Sequence, residues 1–422
     1  MSGCSRTRAR FRVFDAAARL RVRVSSASAR LTACAAALAC ASLLGHAQSS
    51  REVRALWVQR ASLTSPASVL SVVDMADSAG FNTLIVQVRG RGDAYYDARH
   101  EPRPPALAQQ RGFDPLELLL GRAHGAGLRV HAWVNVNLIS DAEPPGSRRH
   151  VVYTNPEWLM VPRPLAADLF QVQPRSADYL RRLSEYAKAR SDRVEGLFLS
   201  PLHRGAADHT VKVIADIASR YAVDGIHLDY IRFPNDEFDY SRAALDAFRA
   251  DVQAAVPDAE RREYARRAQG RPLFYTEMFP QRWNQFRRDR LTALLTRIRS
   301  AVKARRPGAL VSAAVFPDAA DATNRRFQDW TGWLASGLID AICPMAYTTD
   351  ASLFRAQIAA VEHAAGARAV WAGIGAYQLT PAATVENIHA ARQLGAEGII
   401  LFSYNNLDGA YMSAVAGGAF RR

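Results

Sequence analysis

The residues best suited to acid–base chemistry lie in the segment Val223–Pro234, which reads VDGIHLDYIRFP. Asp229 ends an apolar run in which strand alternation places it and His227 on the face opposite Ile226 and Leu228. A carboxylate is costly to bury without a partner. We therefore expect Asp229 to serve catalysis, to bind a ligand or to form a buried ion pair.

The ion-pair alternative for Asp229 has two candidate partners, Arg89 and Arg232. A neighbouring guanidinium favours the ionised carboxylate, so either arginine is expected to keep Asp229 charged. His227 is expected to tune the same charge. Asp224 stands just before Gly225, at the start of the run, and is expected to be structural.

Polar side chains in other strand-like runs share the inward face predicted for Asp229. Alternation with apolar neighbours predicts this orientation for Gln87, Arg89, His131, Trp133, Asn135, Met345 and Tyr347. A buried His or Gln is also common as an ordinary core residue, so His131 or Gln87 alone does not identify a site. Polarity increases toward the ends of the runs, which indicates a site there.

Eight short apolar runs provide the strands that would position these side chains. They are Val53–Val58, Thr83–Val88, Leu128–Val136, Val223–Ile231, Leu310–Phe316, Leu338–Met345, Ala369–Ile374 and Gly398–Phe402. Helix-like segments separate most of them, which predicts parallel strands with right-handed crossovers. Eight such units predict an α/β fold, the (β/α)₈ TIM barrel. A doubly wound open sheet is the alternative, but no glycine-rich nucleotide fingerprint follows any run.

Two connections are too long for simple crossovers. We interpret residues 138–192 and 232–289 as insertions after the third and fourth strands. Both follow the carboxyl ends of strands, where barrel enzymes build their sites, so they are expected to shape a substrate cleft. The short run Gly196–Leu199 predicts an accessory strand.

The first 47 residues are predicted to be a secretory signal peptide. Arginine-rich residues 1–30 precede the apolar stretch Leu31–Leu44, and small residues precede a cleavage site after Ala47. Cys34 precedes the apolar stretch rather than following it, which argues against a lipid anchor. We expect residues 48–422 to form one barrel domain without a membrane span, located in the periplasm or outside the cell.

Charge and cysteine content exclude several classes of function. The formal net charge is +14, but eight of the 54 basic residues lie within the first 30 positions. The remaining basic residues are spread along the chain, so no nucleic-acid partner is expected. Cys343 is the only cysteine after the predicted cleavage site. This excludes an intramolecular disulfide and a cysteine metal cluster in the mature chain.

The segment Val223–Pro234 resembles the signature of the glycosyl-hydrolase-like 10 family, glycosidases of bacterial envelopes. Six further blocks are similar to that family in the same order, and the resemblance runs from about residue 51 to the C-terminus. The blocks are Glu52–Val58 (EVRALWV), Asn82–Tyr96 (NTLIVQVRGRGDAYY), Asp114–Asn135 (DPLELLLGRAHGAGLRVHAWVN), Trp283–Asp289 (WNQFRRD), Pro344–Tyr347 (PMAY) and Leu401–Tyr404 (LFSY).

The resemblance implies a (β/α)₈ barrel that hydrolyses glycan strands, since characterised relatives act on peptidoglycan stripped of its stem peptides. Asp229 matches the family's proposed catalytic carboxylate. Many members carry a second Asp directly after it, where this chain has Tyr230. The segment is also distantly similar to the DGxDxDxE strand of family 18 chitinases, but Ile231 stands where their acidic Glu would be.

Glycoside cleavage normally needs one carboxylic acid to protonate the leaving oxygen and a second carboxylate as nucleophile or base. Asp229 is the candidate for the second role. The acid partner is left open among Glu277, Asp318 and Asp350, which follow the fourth, fifth and sixth strands. Retaining and inverting chemistry both remain open.

Substrate contacts are predicted from side-chain chemistry. Aromatic rings stack on sugar faces, and arginines bind hydroxyls or a muramic carboxylate. The candidates for substrate binding are Arg89, Asp93, His131, Trp133, Asn135, His227, Tyr230, Arg232 and Tyr347. His131, His227 and Asp229 also form a possible metal-ligand set, although no metal or other cofactor is expected.

These observations predict an exported glycoside hydrolase that acts on a polysaccharide, the peptide-free glycan strand of peptidoglycan, with cell-envelope proteins as further candidate partners. A catalytically silent glycan-binding barrel is the alternative, because an obvious general acid is missing. A metal-dependent enzyme similar to polysaccharide deacetylases is the third hypothesis.

Overall fold

The computed structural model describes residues 52–110 and 112–420. The predicted signal peptide and its cleavage site lie outside the described residues, so that prediction stays untested. None of the helices in the described part of the chain is long and apolar enough to cross a membrane.

Eight parallel strands in the described region close into a barrel. In chain order they are β1 (Val53–Val58), β2 (Thr83–Arg89), β3 (Arg129–Asn135), β6 (Gly225–Asp229), β7 (Leu310–Val315), β8 (Ala341–Ala346), β9 (Ala369–Ile374) and β10 (Gly398–Leu401). The order around the barrel is β1-β10-β9-β8-β7-β6-β3-β2. The predicted (β/α)₈ fold is confirmed, and the alternative prediction of an open doubly wound sheet is wrong.

Helices cover the outside of the barrel. Within the described ranges they are α1 (Pro66–Ser78), α2 (Pro105–Ala108), α3 (Pro115–Gly125), α4 (Val151–Thr154), α5 (Arg163–Gln171), α6 (Ala177–Lys188), α7 (Arg204–Arg220), α8 (Arg242–Ala255), α9 (Asp258–Arg267), α10 (Phe274–Met278), α11 (Pro280–Arg305), α12 (Ala319–Arg325), α13 (Trp330–Ala335), α14 (Ala351–Ala365), α15 (Pro381–Gln393) and α16 (Gly409–Ala419). Short 3₁₀ turns at Arg60–Leu63 and Tyr404–Asn406 follow β1 and β10.

Two long segments follow β3 and β6 in the chain. The chain between β3 and β6 contains an antiparallel pair, β4 (Leu138–Ser140) and β5 (Leu197–Phe198). The accessory strand predicted at Gly196–Leu199 is therefore present over two of its residues. The chain between β6 and β7 forms α8 to α11.

Strand alternation separates an outer core from the barrel interior. Val130, Val134, Ile226 and Leu228 are fully buried in the cluster that packs between strands and helices. The barrel interior holds a second cluster, formed by Val53, Ala55, Trp57, Ile85, Trp133, Ala341, Cys343, Trp371 and Ile400. The predicted orientation of β3 and β6 is confirmed, because their apolar and polar positions fall on opposite faces.

Candidate active site

A cavity of about 580 Å³ opens at the C-terminal mouth of the barrel, a volume within the range of ligand sites, ~300–1,000 Å³. It is lined by residues of six barrel strands and of the loops that follow β1, β2, β6, β8 and β10. They are Trp57, Gln59, Arg60, Ala61, Gln87, Arg91, Tyr95, Trp133, Asp229, Tyr230, Arg232, Ala314, Met345, Tyr347 and Phe402. Asp229 is the only carboxylate among the described residues of this lining.

Asp229 is 8% exposed and is held at the end of β6. The backbone N–H of Tyr230 donates to its Oδ1 at 2.7 Å. Burial raises the pKa of Asp229 from 3.8 to about 6, although Arg232, this N–H, Trp133 and Arg91 all oppose the rise. The carboxyl group therefore exchanges a proton near neutral pH. This suits the role of general acid, which the sequence left open among other residues, as well as the role of base expected for Asp229.

Arg232 does not neutralise Asp229, because its guanidinium is bound elsewhere. Its Nη2 lies 2.6 Å from Oε1 of Glu195, and its guanidinium carbon lies 4.5 Å from the centre of the Tyr230 ring. Arg232 is 4% exposed, and its Nε has no hydrogen-bond partner. Arg232 lowers the pKa of Asp229, as expected of a neighbouring guanidinium, but burial outweighs this effect.

Arg89 does not reach the cavity. The β2–β3 register shifts between Gln87 and Arg89, so that Arg89 stands opposite Val134, and its Nη2 lies 2.6 Å from Oε1 of Glu101. The ion pair is buried, and His209 Nε2 lies 3.1 Å from the same oxygen. Simple alternation failed here because a shift of register by one residue moves a side chain to the other face of the strand.

His227 lies beneath the cavity rather than in its lining. The indole N–H of Trp57 donates to Nε2 of His227 at 3.2 Å, and Nδ1 lies 3.0 Å from Oγ of Ser312. An indole only donates, so the proton of His227 is on Nδ1. Burial lowers the pKa of His227 from 6.5 to about 3. The neutral ring does not tune Asp229 through charge, which corrects that expectation.

His131 and Asn135 are also fully buried, and neither lines the cavity. The His131 ring lies 5.5 Å from the Trp371 ring, and neither of its nitrogens has a hydrogen-bond partner. Asn135 accepts from Trp133 Nε1 at 2.9 Å and donates to the Gly90 carbonyl at 2.8 Å. Both residues face the barrel axis as predicted, but burial separates them from the mouth, so direct substrate contact is not supported.

Aromatic rings form the floor of the cavity. Tyr347 stacks on Phe402 with centroids 5.4 Å apart, and Trp57 meets both rings edge-on. Trp133 packs against Phe402 and is 4% exposed, so little of its ring faces the cavity. The predicted aromatic residues Trp133, Tyr230 and Tyr347 therefore do converge on one cavity.

Tyr230 has a positive φ of 50°, a conformation that is uncommon for a residue with a bulky side chain. This conformation turns the chain sharply at the end of β6 and accompanies the hydrogen bond from the Tyr230 N–H to Asp229. A second Asp at this position is absent from the sequence, and the ring of Tyr230 instead packs beside Arg232.

The three candidate partner acids lie outside the cavity. Asp318 and Asp350 cap α12 and α14, each accepting from two backbone N–H groups. Glu277 is exposed on α10 and pairs with Arg271 at 3.2 Å. Local helix capping explains both aspartates, and the assignment of Glu277 or Asp350 beside Asp229 is corrected.

Asp93 organises the loop after β2 without lining the cavity. Its Oδ1 accepts from the Arg91 N–H at 2.9 Å. The side chain that enters the cavity is that of Arg91, whose Nε lies 2.6 Å from Asp141. The loop after β2 therefore contributes to the site through Arg91 rather than through the expected Asp93.

Sequence reasoning missed several residues of the cavity lining, among them Trp57, Arg60, Arg91, Tyr95 and Phe402. Alternation along β1 could have identified Trp57, because Val53 and Ala55 share its face. Arg60 and Arg91 lie in loops, where no alternation applies.

No three His, Cys, Asp or Glu side chains of the described residues meet as a potential metal site. His131, His227 and Asp229 are therefore not brought together as ligands. A larger cavity of about 730 Å³ lies among α4, α6 and the chain before them. It lies away from the ends of the barrel strands, and Asp178 and Glu185 already pair with its Arg181.

The sequence matches the model of a family described as "Glycosyl hydrolase-like 10" over residues 52–387. It is 25% identical over 205 residues to glycosyl hydrolase DigH of Escherichia coli strain K12, covering 43% of this chain and 42% of that protein. It is 22% identical over 345 residues to glycosyl hydrolase YngK of Bacillus subtilis strain 168, covering 72% and 56%. The chain thus spans about half the length of these curated relatives.

Solved structures of other proteins share the fold. The glycoside hydrolase domain of PgaB (BpsB) from Bordetella bronchiseptica superposes with a TM-score of 0.61 at 16% identity, covering 88% of this chain and 100% of that one. The α-L-fucosidase isoenzyme 2 from Paenibacillus thiaminolyticus superposes with a TM-score of 0.55 at 14% identity, covering 87% and 48%. At these identities the likeness concerns the barrel alone.

Proposed function

The chain belongs to the glycosyl hydrolase-like 10 family, and on that premise we propose that it is a glycoside hydrolase with Asp229 as its acid–base group. One observation carries the proposal. Asp229 is the only carboxylate in the described lining of the mouth cavity, and its pKa is raised to about 6. A carboxyl group tuned in this way can donate a proton to a glycosidic oxygen near neutral pH.

Protonated Asp229 donates its proton to the leaving oxygen as the bond between that oxygen and the anomeric carbon breaks. The resulting carboxylate then accepts a proton from the water that adds to the anomeric carbon, which restores the acid. The stacked rings of Tyr347 and Phe402, which are partly exposed, offer an apolar surface to a sugar ring.

The proposed substrate is the glycan strand of peptidoglycan from which the stem peptides have been removed. The protein would meet this substrate in the cell envelope after removal of residues 1–47. The signal-like N-terminus and the family resemblance support this location and substrate. Cell-envelope proteins are the further partners that this location would supply.

The test is incubation of the purified chain with peptide-free peptidoglycan strands, peptide-bearing sacculi and chitin oligosaccharides, followed by separation of the products. We expect new reducing ends from the peptide-free strands, and their loss in Asp229→Asn. Glu277→Gln is the matched control, because Glu277 is an exposed carboxylate outside the cavity. Equal turnover by Asp229→Asn and the parent chain would falsify the assignment of Asp229.

A glycan-binding barrel without activity is the second candidate. The single carboxylate of the described cavity lining favours it, because most glycosidases use two. Binding of the strands without new reducing ends, unchanged in Asp229→Asn, would identify this function instead.

A further inference from the structure

Resting on the proposed glycan substrate, we infer that Arg60 binds a carboxylate of the sugar strand, so that the cavity selects acidic glycans over neutral ones. Arg60 follows β1, in the short 3₁₀ turn Arg60–Leu63, and its side chain lines the same cavity as Asp229. Neither the sequence motifs nor the family match assigns it a role.

Arg60 differs from the other two arginines of the cavity in its partners. Arg91 is paired with Asp141, and Arg232 is paired with Glu195. Arg60 has no carboxylate partner among the described residues, although it is half-buried. A partly buried guanidinium without a counter-charge is stabilised when an anion binds.

A buried amide network holds Arg60 toward the cavity. Its Nη1 donates to Oε1 of Gln87 at 3.2 Å, and the backbone N–H of Arg60 lies 3.4 Å from the same oxygen. Gln87 in turn donates to Oδ1 of Asn135, which also accepts from Trp133 Nε1 at 2.9 Å. The Arg60 side chain also hydrogen-bonds Tyr95, another residue of the cavity lining. A guanidinium carries five N–H donors, so these two neutral partners leave donors for a ligand.

Gly90 provides the space for this position of Arg60. A Cβ placed on Gly90 would lie 2.5 Å from Cδ and 2.7 Å from Nη1 of Arg60. These atoms belong to the flexible end of a side chain, so Gly90→Ala would displace Arg60 rather than disrupt the backbone. The substitution therefore moves the positive charge without removing it.

The ligand is a carboxylate carried by a sugar, for which a guanidinium offers two parallel N–H donors. Two sources have this chemistry: the lactyl ether of muramic acid and the carboxyl group of a uronic acid. In both, a carboxylate lies a few bonds from the ring that stacks on the aromatic floor.

Calorimetric titration of the purified chain tests the inference in an Asp229→Asn background, which prevents turnover. The probes are peptide-free peptidoglycan fragments, the same fragments with their carboxyl groups reduced to alcohols, and oligogalacturonate. We expect the unreduced fragments to bind about tenfold more tightly or better than the reduced ones. Adding Arg60→Gln should collapse this ratio toward one, and adding Gly90→Ala should lower it.

Arg305→Gln is the matched control, because Arg305 is an exposed arginine at the end of α11, near the opposite end of the barrel. It should leave the ratio unchanged. The inference would be overturned if reduced and unreduced fragments bound equally, or if no probe bound at all. It would also be overturned if Arg60→Gln left the ratio unaltered in a chain with a normal Tm. Binding of oligogalacturonate through Arg60 extends the ligand to uronic acids, and its absence restricts the ligand to the lactyl carboxylate.

Turnover is measured separately on the chain with Asp229 intact. Charge-selective binding through Arg60 without new reducing ends would remove the proposed hydrolysis and keep the anion subsite. Turnover that does not distinguish reduced from unreduced strands would keep the proposed hydrolysis and remove the anion subsite.

Discussion

Arg232 and Asp229 line the same cavity and lie three residues apart in the chain. Arg232 nevertheless forms its ion pair with Glu195, whose Oε1 lies 2.6 Å from Nη2 of Arg232. Glu195 precedes β5, in the long segment between β3 and β6. Arg232 still lowers the pKa of Asp229, but burial outweighs this effect and raises the pKa to about 6.

The first prediction concerns pH. If protonated Asp229 donates to the leaving oxygen, kcat/KM falls as pH rises through about 6. Glu195→Gln frees Arg232 to favour the Asp229 carboxylate, so this fall should move to lower pH. Glu143→Gln is a control, since that exposed carboxylate pairs with Lys188 outside the cavity. If kcat/KM of Glu195→Gln fell at the same pH as that of the parent chain, the ion pair with Glu195 would not limit the effect of Arg232 on Asp229.

The second prediction concerns Asp229→Asn. Loss of the proton donor should lower kcat by about 100-fold or more, or roughly 3 kcal/mol on the barrier. The same change should stabilise the fold at pH 7.5, because the parent chain must bury a charge there. With a pKa raised from 3.8 to about 6, this cost is at most about 3 kcal/mol.

The sign of this stability difference depends on pH. The folded chain holds a proton on Asp229 between pH 3.8 and about 6 that the unfolded chain has released, so parent stability falls as pH rises through this window. The advantage of Asp229→Asn should therefore vanish near pH 4, as measured by urea unfolding. A destabilised variant with normal turnover would instead give Asp229 a structural role.

The third prediction concerns His227. Its pKa of about 3 and its contact with Trp57 should keep the ring neutral, with the proton on Nδ1, from pH 5 to pH 8. ¹⁵N NMR of the imidazole should show one unchanging tautomer over this range. Trp57→Phe removes the donor to Nε2 and should allow the other tautomer. A titration of His227 near pH 6.5 in the parent chain would contradict the buried geometry.

The fourth prediction concerns the buried pair of Arg89 and Glu101. Glu101→Gln leaves a buried guanidinium without its counter-charge, which should lower the free energy of unfolding by about 3–5 kcal/mol. Breaking the exposed pair of Lys188 and Glu143 by Glu143→Gln should cost about 0–1 kcal/mol. Similar losses in both variants, measured by urea unfolding, would show that Arg89 is not buried with Glu101.

The fifth prediction concerns processing. The exported protein should begin near Gln48, because the apolar stretch Leu31–Leu44 and the small residues after it form a cleavage signal. N-terminal sequencing and intact mass of the protein recovered from the envelope fraction check this. Recovery of residues 1–47 on the exported protein, or of an acylated Cys34, would contradict it.

Much of the barrel could be predicted from the sequence because its signals are local. Apolar runs and helix-like segments follow one another along the chain, and each predicted barrel strand overlaps an observed one. Alternation also determined that Asp229 and His227 face inward from β6, since the period of a strand is two wherever no bulge intervenes.

The composition of the cavity was decided by the tertiary structure. A register shift in β2 places Arg89 opposite Val134 and beside Glu101, and the sequence gives no signal of this shift. Depth along the barrel axis separated buried His131 from the lining residue Asp229, although both face inward. Loops then brought Arg60 and Arg91 to the mouth. Side-chain direction follows from the local backbone, but depth, ion-pair choice and loop position depend on residues far apart in sequence. For that reason the sequence determined the barrel and Asp229, and only the folded chain decided which charges surround it.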